Sequence, residues 1–269
     1  MSTDATFPLG AAVTVVMIIA GVPPILTLPI SFVIGGLAGM ITGLIHVKLK
    51  VRDLLAGIIM MTALYSINLR IAGKANVPIF SKETIFENAF LEKVVPAELQ
   101  PYMVAIILFV IVVIMKLLLD TYLKTKSGYL LRAAGDNETL VTSLAKDKGK
   151  VKIVGLAIAN AFIALAGCIY AQKNGFFEIT TGTGTMVIGL ASVMIGTNLF
   201  KNRIKVFKKN LYIKTTTAVI IGAIIYKACV AVAISLGMKA SDLKLITAVL
   251  FLGILVLSSE RKRKVKTND

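Results

Sequence analysis

The chain has 269 residues, 57% of them hydrophobic, with 30 Lys and Arg against 14 Asp and Glu. Apolar runs this long exclude an ordinary soluble domain and point to an all-α, polytopic transmembrane bundle. The net charge of +16 raises nucleic acid as a partner, but the placement of the basic residues argues against it.

Hydropathy predicts about eight apolar segments, at residues 8 to 22, 25 to 46, 54 to 72, 102 to 119, 153 to 171, 186 to 200, 216 to 237 and 245 to 259. The opening MSTDATF lacks the positive n-region of a signal peptide, so nothing there looks cleaved. Pro23 and Pro24 separate the first two segments. The shortest segments suggest half-helices or re-entrant stretches, which must be shielded by protein because lipid cannot satisfy an open backbone.

In the second segment Gly35, Gly39 and Gly43 recur every four residues, a face on which a neighbouring backbone can approach closely. The next connection holds Lys48, Lys50 and Arg52. Asn68 and Arg70 stand near the outer end of the third segment, where Arg70 can snorkel to the interface and Asn68 is a candidate pathway residue. In the loop 73–101, Lys74, Lys82 and Lys93 are outnumbered by Glu83, Glu87, Glu92 and Glu98. By contrast, residues 116–152, 201–214 and the tail 260–269 are rich in Lys and Arg. The positive-inside rule then puts these basic segments and both termini in the cytoplasm and 73–101 outside, which accounts for the charge with no nucleic acid.

Residues 128–150, GYLLRAAGDNETLVTSLAKDKGK, form a long polar run between two membrane-type segments. Gly135 interrupts it, Asp136 or Asn137 can cap a new helix, Glu138 suits that helix's positive first turn, and Gly149 can end it. Leu140, Val141 and Leu144 then share one face of a short amphipathic helix over 136–148. That face needs a cover, either the lipid interface or a groove of a soluble partner, and the two stay open on these grounds.

Further along, Asn160 and Asn198 are candidates for hydrogen bonds between helices, and Cys168 and Cys229 are expected to be packing residues in apolar runs. Gly182, Gly184, Gly189 and Gly196 punctuate TTGTGTMVIGLASVMIG. That run is either a flexible bend or a broken helix beside a translocation path, which makes Gly182 and Gly184 pathway candidates. Lys227 lies mid-way along its segment, too deep to snorkel, and is expected to face the bundle interior. With His46 the single histidine, no metal spacing exists, and no catalytic residue, metal or cofactor is expected.

The segment GYLLRAAGDNETLVTSLAKDKGKVKIVGLAIANAFIALAG resembles the cytoplasmic loop and following span of ABC importer permeases of the branched-chain amino acid and ribose type. FPLGAAV, LLAGIIMMTALYSINLRIAGKANVPIF, TMVIGLASVMIGTNLF and SDLKLITAVLF are similar to a subgroup described as uncharacterised or as tryptophan or tyrosine importers. The resemblance implies that 136–148 is the coupling helix that docks on a cytoplasmic ABC ATPase dimer, with Arg132, Gly135, Asp136, Asn137, Leu140, Val141 and Leu144 as the docking residues. It also implies a second permease copy, an extracytoplasmic substrate-binding lipoprotein and the lipid of a bacterial cytoplasmic membrane as partners. The solute would be a small one, an amino acid and in particular an aromatic one. Members of the subgroup usually carry a further hydrophobic segment ahead of the stretch matching STDATFPLGAA, so a missing N-terminal helix is expected. Asn198 stands where many relatives are expected to have an acid, and no catalytic-style role is assigned to it. No G-x-x-x-x-G-K-[ST] loop occurs, so ATP hydrolysis would fall to a partner. The alternative is an ATP-independent secondary transporter or channel, on which the polar run would merely lie against the membrane.

Overall fold

The structure is a computed structural model that describes residues 2–88, 100–136, 148–206, 214–235, 237, 245, 247–249 and 252–253. Eight helices are described: α1 (Thr3–Ile19), α2 (Pro24–Lys48), α3 (Asp53–Ala72), α4 (Met103–Leu123), α5 (Lys126–Asp136), α6 (Lys148–Asn174), α7 (Thr185–Val206) and α8 (Thr215–Ser235). Two short strands, β1 (Asn76–Pro78) and β2 (Phe176–Glu178), pair antiparallel with Val77 opposite Phe177. Five helices, α2, α3, α4, α6 and α8, are long and apolar enough to cross a membrane. Their outward faces are apolar, with Leu26, Val33, Ile59, Phe109 and Leu117 all exposed, as hydrocarbon solvent permits and water does not.

The chain divides into two compact units, residues 1–183 and 184–269. In the first, α6 packs along α2 and α1, and α3 packs on α1. Small residues set how closely these helices approach. A Cβ on Gly39 would strike the Leu156 carbonyl oxygen and lie 2.8 Å from Asn160 Cβ, and one on Gly43 would lie 2.8 Å from Ile153 Cα. One on Gly35 would meet Ala164 Cβ and the Asn160 carbonyl oxygen, the latter at 2.6 Å. Gly36, next to Gly35 but a hundred degrees round the helix, would place its Cβ an ordinary 3.7 Å from Ala161. In the second unit α7 packs on α8, with Gly196 against Ala218 and Gly222 against Ser192. There Tyr226 is buried, its hydroxyl 2.7 Å from Thr247 Oγ1.

Three boundaries differ from those read in the sequence. The first helix starts at Thr3 and contains Pro8, with Ser2 and Thr6 at its start buried against Asn160 of α6 and not solvated. Gly135 does not interrupt: α5 continues through it to Asp136. A glycine in a helix costs only about 1 kcal/mol relative to alanine, and Leu131 in the preceding turn is seated over Gly155 of α6. Finally, the loop 73–101 is not wholly irregular, since β1 pairs with β2 beyond the end of α6. Strand pairs three residues long carry too little alternation to be legible in a sequence. Most of the eighth apolar segment, 245–259, lies outside the described residues.

Candidate functional site

Polar side chains from three elements meet at the first turn of α1. Thr6 Oγ1 donates to Asn160 Oδ1 at 2.8 Å and Ser2 Oγ lies 3.5 Å from the same oxygen, while Asn160 Nδ2 donates to the Leu156 carbonyl at 2.9 Å. From α3, Asn68 Nδ2 donates to the Ala5 carbonyl at 2.9 Å. Ser2, Thr6, Asn68 and Asn160 are all buried. Pro8 has no N–H to offer the Asp4 carbonyl one turn back, and Gly182 lies against that oxygen: a Cβ there would strike it and would lie 2.6 Å from Pro8 Cδ. Asn68 and Gly182, far apart in sequence, therefore flank the same turn of α1. Among the described residues, Asn68 Oδ1 and Thr3 Oγ1 are buried with no hydrogen-bond partner. An amide oxygen and a hydroxyl in that state can accept from and donate to a polar guest without first breaking a protein bond.

A second polar chain follows the seam of α2 with α1 and α6. Thr14 Oγ1 donates to the Gly10 carbonyl at 2.7 Å and lies 3.1 Å from Ser31 Oγ. Farther along, Thr27, Cys168 and Gln172 form a buried group, with Gln172 Nε2 donating to Thr27 Oγ1 at 2.8 Å. Short hydroxyl and amide side chains bonded across helices in this way hold apolar helices together where the hydrophobic effect cannot.

The remaining residues singled out in the sequence are dispersed. Gly184 has φ +89, in the non-helical stretch that precedes α7, and its carbonyl accepts the Ile188 N–H; Gly189 and Gly196 lie within α7. Lys227 is exposed on α8 in the isolated chain, not turned into an interior as its depth in the segment suggested, because the partner of α8 within this unit, α7, takes the face that carries Ala218, Gly222 and Tyr226. Arg132 and Gly135 are exposed on α5, with nothing among the described residues within 4 Å of a Cβ on Gly135. Asn137, Leu140, Val141 and Leu144 lie outside the described residues, as does the side chain of Asp136. Arg70 is exposed in the last turn of α3, beside a shallow groove shared with Tyr65, Ser66 and Leu69. Among the described residues no group of His, Cys, Asp or Glu is placed to hold a metal ion.

A family model described as "Branched-chain amino acid transport system / permease component" matches residues 1–259. The chain belongs to this permease family. It is 40% identical over 268 residues to a "Tyrosine transport system permease protein" of Clostridioides difficile (strain R20291), an alignment that covers 100% of this permease and 84% of that protein. It is 31% identical over 258 residues to "Uncharacterized protein RP368" of Rickettsia prowazekii (strain Madrid E), covering 94% and 86%. A more distant relative is the "Ribose import permease protein RbsC" of Haemophilus influenzae, 25% identical over 198 residues, covering 73% of the permease and 59% of the relative. No solved structure matches significantly.

The permease is accordingly a multi-pass protein of the bacterial cytoplasmic membrane and the permease component of an ABC-type transport system, a transporter subunit and not itself an enzyme. Sequence reasoning passed over Thr6, Thr27 and Gln172. Threonine is common in apolar spans, and Gln172 sits near a span end where a polar residue needs no explanation. The available signal was Gln172 falling four residues after Cys168, on the same face of a helix.

Proposed function

We propose that the permease imports an amino acid, an aromatic one in preference, driven by ATP hydrolysed on a separate cytoplasmic subunit. The observation that carries the solute class is the 40% identity, end to end, with a tyrosine transport permease. Two copies of the permease form the pathway in lipid, and an extracytoplasmic binding lipoprotein delivers the solute to it. Closure of an ATPase dimer acts on residues 136–148, next to the exposed Arg132. The orientation is supported by charge, since 47–53, 116–152 and 201–214 are basic and 73–101 is not. It is supported also by the β1–β2 pair, which joins the chain leaving α3 to the chain leaving α6 and so makes those two helix ends neighbours.

The test begins with mild-detergent capture of the permease from native membranes. A co-purifying soluble subunit bearing a Walker phosphate loop is expected, together with ATPase activity in the eluate. Reconstituted in vesicles with that subunit and the co-purifying lipoprotein, the permease should take up labelled tyrosine only with ATP, competed by tryptophan and not by leucine or ribose. Uptake without nucleotide would replace this reading by an ATP-independent carrier, and competition by leucine or ribose alone would change the solute class.

Within that pathway Asn68 is the residue proposed to meet the solute, because its Oδ1 is buried and uncommitted. Asn68→Leu gives up one bond, to the Ala5 carbonyl, and relieves one unpaired oxygen, so stability in detergent should change by no more than about 1 kcal/mol. Initial uptake should nevertheless fall about tenfold, the worth of one lost hydrogen bond near 1.4 kcal/mol. Wild-type uptake with an unchanged melting curve would remove Asn68 from the pathway.

A further inference from the structure

Gln172 stands in the last turn of α6, is 2% exposed and commits its whole amide. Its Oε1 accepts the Ile85 backbone N–H at 3.0 Å. Its Nε2 donates to Thr27 Oγ1 at 2.8 Å and to the Pro24 carbonyl at 3.3 Å. One side chain thus joins the end of α6, the first turn of α2 and the segment 79–88, which are 87 and 148 residues from it in sequence at Ile85 and Pro24.

The segment 79–88 is braced by its own hydrogen bonds around Thr84. Thr84 Oγ1 accepts the N–H groups of Phe86 and Glu87 at 3.2 and 3.1 Å, and Thr84 N–H donates to the Glu87 carbonyl at 2.9 Å. Ile79 and Phe86 are buried beneath it. At its other end α6 starts immediately after residues 137–147, so Gln172 lies about 36 Å along one helix from that segment at 1.5 Å per residue. α2 is clamped to α6 over Gly35, Gly39 and Gly43, where there is no room for the two to slide independently.

We propose that Gln172 is the positioning residue through which α6 carries the segment 79–88, so that a displacement of residues 137–147 at one end of the helix is delivered to the opposite face of the permease. The inference rests on the reading of 136–148 as the site on which the ATPase acts. A backbone bond also reaches this segment, from Ile79 N–H to the Gly175 carbonyl at 2.7 Å, but it lies past the end of α6. Gly175 has φ +73, a left-handed turn that glycine accommodates, and beyond it Phe177 and Ile179 are buried in the same core as Ala171 of α6. Gln172 grips from inside the helix, and it alone of these ties also holds the start of α2.

The experiment uses the full permease in vesicles with its co-purifying ATPase and lipoprotein. Exposed Cys229 is replaced by serine, and exposed Ser81 is replaced by cysteine and labelled with an environment-sensitive fluorophore; Cys168 is buried and stays unlabelled. A non-hydrolysable ATP analogue should shift the probe in the otherwise wild-type permease. In Gln172→Leu the shift should fall at least fivefold with ATPase turnover within twofold of wild type. Ile85→Pro, which removes the N–H that Gln172 holds while also fixing φ at 85 beside Thr84, should do the same, and the double variant should lose no more than either single one. Gln172→Glu keeps an oxygen for the Ile85 N–H but loses the donor to Thr27 and Pro24, and should restore part of the shift relative to Gln172→Leu, which a merely structural loss would not. A full probe shift in Gln172→Leu or Ile85→Pro, with the ATPase active, overturns the inference and leaves the coupling reading standing. A wild-type permease that neither stimulates the ATPase nor shifts the probe overturns both.

Discussion

Leu140→Asp is expected to reduce ATP-driven uptake at least about a hundredfold while the permease remains in the membrane in normal amount. Leu140, Val141 and Leu144 occupy one side of a short helix in the sequence pattern, and the proposed cover for that side is a cleft on the ATPase. A carboxylate forced into such a cleft without a partner costs about 3 kcal/mol or more, which as a binding loss is about two powers of ten. Gly135→Trp is the companion change. Among the described residues nothing lies within 4 Å of a Cβ at 135, so the added side chain starts into open space, and the proposed obstacle is something docked on it. The measurements are immunoblotting of membranes, ATPase stimulation and uptake on the same preparations. Normal uptake by both variants would sink the assignment of 136–148 to ATPase coupling, leaving the segment as a surface helix on lipid.

The second large effect falls on the fold. Gly39→Leu should lower the stability of the permease in detergent by about 3 kcal/mol, the upper end for overpacking a filled interior. The first added carbon already strikes the Leu156 carbonyl and Asn160 Cβ, and both belong to the helix backbone or its first side-chain atom, which cannot rotate out of the way. Gly36→Ala, three residues earlier, supplies the control, because its Cβ finds Ala161 Cβ at 3.7 Å and the Ala157 carbonyl oxygen at 3.8 Å, both ordinary contacts. That variant should be as stable as wild type or slightly more so, since alanine favours a helix over glycine by about 1 kcal/mol. Thermal unfolding followed by circular dichroism checks both, and equal melting temperatures for the two variants would mean that α2 and α6 are not in tight register along this face.

Asn160 shows how burial of polar groups in this molecule divides between cohesion and availability. Its oxygen is taken by Thr6 and Ser2 and its nitrogen donates to the Leu156 carbonyl, so it serves the α1–α6 contact. Asn68, against the same turn of α1, spends its nitrogen on the Ala5 carbonyl and keeps its oxygen. Two asparagines of equal burial thus have different chemical capacities, and the difference lies in their neighbours.

What the sequence determined by itself is what depends on local order along the chain. Runs of apolar residues give the membrane class and the positions of α2, α3, α4, α6 and α8 to within a few residues, because a span is a continuous stretch of one composition. Charge in the connections is the basis of the proposed orientation for the same reason, and the four-residue spacing of Gly35, Gly39 and Gly43 is visible as a pattern. The tertiary structure alone decided which helix that glycine face meets, that Gly182 returns against the Asp4 carbonyl, that Lys227 is on the exposed side of α8, and that Gln172 reaches Ile85 and Pro24. Those facts are pairings between residues distant in sequence. In a helix that is apolar all round, no periodic contrast between faces says which side packs and which meets lipid. Partner choice is then settled by where small residues let two backbones close and where a buried amide finds its acceptors, and both depend on the other helix as much as on the residue itself.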